Sequence, residues 1–183
     1  MPAGELNRKL VYHCRVFDVY EGDVQLPDGR IFKQSWIDHH PCIAVVPVNP
    51  EGNLVLIRQY RKAAGGIIVE IPAGTMDHEG EEVEACVQRE LAEEVGFQAG
   101  RLIRLFEGYL VPGYCNEYMY FYLALDLRPA SLPADEDEYI RVMTTSFAEA
   151  QSMIRDKRII DAKTALGIQM AREYLDNASE TGR

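Results

Sequence analysis

One helical pattern, set among short strand-like runs, limits most what this chain can fold into. In residues 81–96, EEVEACVQRELAEEVG, positions 83, 87, 90 and 94 recur at the spacing of one helix face. The first two are Val83 and Val87, with Cys86 beside them; the last two are Glu90 and Glu94. A core-facing apolar stripe therefore turns acidic in its final turns. Glu93 lies about 60° around the helix from Glu90, within reach of the same point. Gly96 stands where a helix closes on a left-handed residue.

The surrounding runs read as strands. Residues 12–20 are rich in β-branched and aromatic side chains. LPDG at 26–29 signals a turn, and IFKQSWI follows as a second strand. CIAVVPV at 42–48 has the length of a buried strand, residues 50–53 turn the chain, and LVLIRQYR at 54–61 makes the next strand. IIVEIPAG at 67–74 is a short strand ending in Pro and Gly. Strands are also expected at 102–106, 118–127 and 139–144. Ser146 and Glu149 form a capping box for one helix, and Asp161 caps a last helix running to about Tyr174. Many strands, one central helix, more strands and terminal helices predict an α/β fold: a mixed sheet with helices on its faces.

The 183 residues suffice for one domain with a sizeable core. A net charge of −10 makes the chain a poor partner for nucleic acid through bulk electrostatics. Cys14, Cys42, Cys86 and Cys115 form no C-x-x-C, and His39-His40 has no zinc spacing, so reduced thiols are expected. The N-terminal residues lack an apolar signal core and no 18-residue apolar run occurs, which predicts a cytoplasmic protein without a membrane segment.

Glutamates on an inward stripe cost several kcal/mol each if unpaired. They also sit near the helix C-terminus, the wrong end for anions. A solvated charged face suits Glu82 and Glu84, but not Glu90 and Glu94, which continue the valine stripe. Arg89 can pair with Glu93 four residues on, yet one arginine cannot neutralise three carboxylates. A bound divalent cation can, and all-oxygen ligands favour Mg²⁺, Mn²⁺ or Ca²⁺ over zinc.

Residues 74–97, GTMDHEGEEVEACVQRELAEEVGF, resemble the Nudix box of the Nudix hydrolases. Glu81, seven residues, then Arg89-Glu90-Leu91-Ala92-Glu93-Glu94-Val95-Gly96-Phe97 match that motif without a gap. Six residues separate Gly74 from Glu81, where the motif has five, so the loop before the helix is one residue longer. IRQYRKAAGG…VEIPAG before the box and VPGYCNE…FYLAL after it look like the ADP-ribose pyrophosphatase branch. The likeness spans roughly residues 12–175. It implies a single-domain α/β/α sandwich with a mixed sheet and an N-terminal antiparallel hairpin. It also implies a homodimer built from strands at about 11–37, with the catalytic part at about 42–177.

The resemblance further implies roles. Glu90, Glu94 and the Ala73 carbonyl would be metal ligands for Mg²⁺, with Mn²⁺ also possible. Glu93 would be a ligand or a base, and Arg89 would orient a glutamate. In the acidic run ADEDE, Glu138 would reach a metal and Glu136 would be the general base; the alternative is a solvated turn. Arg61 would approach a diphosphate, whereas Arg58 and Arg61 could simply be exposed edge-strand arginines. Glu70 and Glu117 could contact the substrate or be solvated. Pro112 follows the box at the spacing seen in that branch. Phe17 and Trp36 could stack on a base, with core or interface packing as the alternative. The expected activity is hydrolysis of ADP-ribose or a related nucleoside diphosphate sugar. GDP-mannose, ADP-glucose or a dinucleoside polyphosphate are alternative substrates, and a non-catalytic nucleotide sensor is an alternative class.

Overall fold

The computed structural model describes residues 4–130, 132–133 and 139–180. The chain divides into two compact units, Met1–Pro41 with Gly108–Met119, and Cys42–Glu107 with Tyr120–Arg183.

In the first unit, β1 (Gly4–Glu5), β2 (Lys9–His13), β3 (Phe17–Gln25) and β4 (Ile31–His39) form one antiparallel sheet, with β3 pairing all the others. The single strand expected at 12–20 is in fact two strand ends joined by a reversal. The Cys14 N–H donates to the Phe17 carbonyl at 3.1 Å, and His13 stands opposite Asp18. Strand-forming composition marks both arms, but Cys-Arg-Val carries no turn residue to betray the reversal. The expected turn at 26–29 is present, with Gly29 at φ +87°. Nine residue pairs then hold β3 to β4, from Phe17 opposite His39 to Gln25 opposite Ile31. Gly22 must be glycine, because any Cβ there would run into the Asn7 carbonyl where the chain passes from β1 to β2.

The second unit carries β5 (Cys42–Pro47), β6 (Leu54–Arg61), β7 (Gly66–Glu70), β8 (Ala73–Thr75), α1 (Val83–Glu90), most of β9 (Phe97–Tyr109) and of β10 (Tyr118–Pro129), β11 (Ile140–Thr145), α2 (Phe147–Arg155) and α3 (Ala162–Glu180). One sheet has the order β8-β5-β10-β9, the other β11-β6-β7. The run at 67–74 is divided between β7 and β8, and the two fall in different sheets.

β5 is buried along its whole length, as expected for a strand covered on both faces. Ile43 and Val45 join a core cluster with Cys86, Val87 and Leu91 from the α1 side. Val46 points the other way, toward α3. There a Cβ on Gly167 would lie 2.8 Å from the Ile71 Cδ1 and 3.2 Å from the Val46 Cγ2, so glycine lets the α3 backbone approach the strands. Helices thus cover both faces of β5. The Ser146 hydroxyl caps α2 by accepting the Glu149 N–H at 3.1 Å, but the Glu149 side chain leaves the capping box for Arg158 at 2.6 Å. Asp161 accepts the Thr164 N–H at 2.9 Å and starts α3, which runs past Tyr174 to Glu180 because no Gly or Pro stops it.

Candidate active site

The acidic stripe is where its spacing put it. Val87, Glu90 and Glu94 are buried, with Glu90 and Glu94 only 9% and 5% exposed, while Glu93 is half-buried. One feature departs from a regular helix. After Glu90 the chain widens into a π-helical turn, Leu91–Val95, before Gly96 closes it at φ +76°. Such bulges inside helices cluster at functional sites.

Arg89 reaches three carboxylates at once. Its Nε and Nη2 donate to Glu81 at 2.9 and 3.1 Å, and its Nη1 donates to Glu90 at 2.7 Å and Glu93 at 3.0 Å. Nη2 also meets the Thr75 carbonyl at 3.3 Å. These bonds, first of all those to Glu81, raise the Arg89 pKa above its ordinary value. In return the guanidinium holds the Glu81 carboxyl below its ordinary 4.5. Burial pushes the adjacent Cys86 thiol up, so it stays protonated and acts as a packing residue.

The strand side of the site comes from β8. The Ala73 N–H donates to Glu94 Oε2 at 3.0 Å. Gly74 sits opposite Ile43 of β5 in the ladder, and a Cβ on it would fall inside the Glu90 carboxylate. The need for glycine here is therefore space for a side chain, not a left-handed turn. The longer loop before α1 leaves this register in place. It turns lower down, where the Glu81 N–H meets the His78 carbonyl at 3.1 Å and Gly80 takes φ +76°.

A second charged group adjoins in sequence. Arg61 donates to Glu70 through Nε at 2.8 Å and Nη2 at 3.0 Å. Glu70 is 1% exposed and also accepts from Lys163. Neither of the environments expected for Glu70, a sugar contact or solvent, describes this buried ion pair. Pro112 and Glu117 belong to the first unit. Pro112 lies exposed in the turn before Tyr114, and the Glu117 N–H meets the Cys115 Sγ at 3.4 Å. Phe17 packs beside Tyr12 and His39, and Trp36 beside Tyr20, all within the first unit. Glu136 and Glu138 lie outside the described residues. The structure thus gathers Ala73, Arg89, Glu90, Glu93 and Glu94 into one cluster and joins Arg61 to Glu70. Sequence reasoning missed Lys163 and Thr164, 93 residues from their partners Glu70 and Ile71, and gave Glu81 no role; the bidentate grip on Arg89 supplies one.

The fold and the acidic helix end define an α/β protein organised around one carboxylate-bearing helix. The NUDIX domain family model matches residues 38–164, more than half of the chain. The chain belongs to the Nudix family. It is 35% identical over 164 residues to the ADP-ribose pyrophosphatase of Bacillus subtilis (strain 168), covering 88% of each chain. It is 36% identical over 141 residues to the GDP-mannose pyrophosphatase of Yersinia pestis (strain Pestoides F), covering 72% of this chain and 70% of that one. A solved structure described as an ADP compounds hydrolase superposes with a TM-score of 0.85 at 27% identity, covering 97% of this chain and 96% of that one. Among the described residues, no helix is long and apolar enough to cross a membrane.

Proposed function

We propose that the protein is a metal-dependent pyrophosphohydrolase that cleaves the diphosphate of ADP-ribose or a related nucleoside diphosphate sugar. The observation that carries this reading is the burial of Glu90 and Glu94 on a core stripe, beside Ala73 and against Gly74. Arg89 brings one positive charge to the three carboxylates it contacts, so the cluster keeps an excess of negative charge. An all-oxygen donor set of this kind fits a hard divalent cation, Mg²⁺ first and Mn²⁺ second. Glu90, Glu94 and the Ala73 carbonyl would hold it, with Glu93 beside them. When bound, such a cation would supply positive charge for the phosphates and would lower the pKa of a coordinated water.

The chain's own groups do the rest. Arg89 orients Glu90 and Glu93 by charge-assisted bonds. Arg61 presents a guanidinium to the diphosphate. Glu136 is the proposed acceptor of the water proton, with Glu138 as a further ligand. The water oxygen forms a new bond to one phosphorus as the bridging P–O bond breaks. The products of ADP-ribose would be AMP and ribose 5-phosphate.

In this reading the whole chain works as one Nudix domain in the cytoplasm, as a homodimer and without nucleic acid. Support for the dimer comes from the first unit, which exposes Leu6, Leu10, Val11, Tyr12, Ile31 and Phe32. Purified protein incubated with Mg²⁺ and a panel of ADP-ribose, GDP-mannose and ADP-glucose tests the activity. Release of nucleoside monophosphate is expected with at least one of them. Folded protein that releases none would refute the proposal, and tight binding without turnover would favour a sensor. Sedimentation tests the dimer.

A further inference from the structure

We propose that the first turn of α3, residues 161–164, is a positioning element for the site, with Lys163 orienting Arg61 through Glu70. The inference rests on the reading that Arg61 faces the diphosphate. It begins from strand register. Arg61 stands opposite Gly66, which offers no side chain, while Glu70 stands opposite Ile57. Ile57 and Arg61 share a face of β6, so the long arginine lies back along the sheet to reach Glu70. Two parallel bonds fix the plane of its guanidinium. The Arg61 side chain stays 39% exposed, so the clamp sets its direction without burying it.

Glu70 is held from the other side. Lys163 donates to Glu70 Oε2 and, at 2.9 Å, to Asp161 Oδ2. Asp161 in turn accepts from the Thr164 N–H at 2.9 Å and its hydroxyl at 2.5 Å. The Thr164 Oγ1 accepts the Ile71 N–H at 2.9 Å, two residues before the Ala73 that donates to Glu94. One helix turn therefore grips both the carboxylate that aims Arg61 and the strand end that carries Ala73. Packing does not explain the lysine, whose side chain is only 10% exposed. A methionine would fill similar space without the desolvation cost. What lysine adds is a charge that holds the Glu70 carboxylate in one orientation.

Steady-state kinetics and equilibrium ADP-ribose binding to the metal-free full chain test this with Lys163→Met and Lys163→Arg. Lys163→Met should raise KM and weaken binding by on the order of tenfold, below the ~100-fold of a full ångström of misplacement. Its kcat and Mg²⁺ requirement should change little, and Lys163→Arg should restore KM. In an Arg61→Lys background the Lys163→Met effect should largely vanish. If the methionine variant does not fold, Lys163→Gln replaces it, keeping a donor without the charge. An active wild type with unchanged KM in Lys163→Met or Lys163→Gln, or an effect undiminished in the Arg61→Lys background, overturns this inference alone. A wild type that neither binds nor hydrolyses any diphosphate sugar overturns the functional reading and this inference with it.

Discussion

The acidic end of α1 and the first turn of α3 both bury carboxylates, yet their charges are settled differently. At α1, Arg89 meets Glu81, Glu90 and Glu93, with Glu94 alongside on the Ala73 N–H. At α3, Lys163 and Arg61 face Glu70 and Asp161, two cations against two anions. A balanced cluster is complete as folded, and losing one member leaves a buried charge uncompensated. An unbalanced cluster holds repulsion that an added cation relieves. The first kind fixes geometry, and the second is the kind we propose as a cation site.

The sharpest way to break this contrast is to neutralise one residue in each cluster. Glu94→Gln should lower Mg²⁺-dependent hydrolysis by on the order of 10³-fold, the several kcal/mol of charge stabilisation a metal contributes. Its metal-free thermal midpoint should match or exceed wild type, since a repelling charge is gone and an oxygen remains for the Ala73 N–H. A fall in that midpoint would show that the α1 cluster is structural too. Glu70→Ala should instead lower stability, costing about 3 kcal/mol in denaturant unfolding because Arg61 and Lys163 lose their shared partner. A stability close to wild type would remove the distinction between the clusters.

Gly74→Ala probes the α1 cluster from the strand side. The new Cβ must displace the Glu90 carboxylate, so activity should drop by about 10–100-fold while the fold persists. Unchanged kinetics would mean that the Glu90 position does not matter. The smallest effect concerns pH. Arg89 holds Glu81 below its ordinary 4.5, so its contribution to stability is complete above that value. It is lost as pH falls through the lowered value. Glu81→Gln should flatten the acid limb of thermal stability below about pH 5, and equal acid slopes in the two proteins would contradict the pairing.

Much of the α1 cluster was legible in the sequence because helix geometry is local. The spacing of Val83, Val87, Glu90 and Glu94 needs only the pitch of a helix to put two acids on a core face. β6, at Leu54–Arg61, was equally plain from its composition and the turn before it. The hairpin within residues 12–20 was not, because its reversal uses no Gly, Pro, Asn or Asp. Nor was the π-helical turn after Glu90, whose widening follows from no residue in LAEEV that a regular helix would refuse. The environment of Glu70 was hidden for a different reason. Alternation along β7 gives it a face but not the partner waiting there.

The sequence alone therefore determined the α/β class, the helix that carries the acids, and the excess of negative charge on it. Those depend on period, composition and charge, which act between near neighbours in the chain. Tertiary structure decided why Gly74 must be glycine and that Lys163 closes on Glu70. Each of these needs two segments brought together in space, and Lys163 lies 93 residues from its partner.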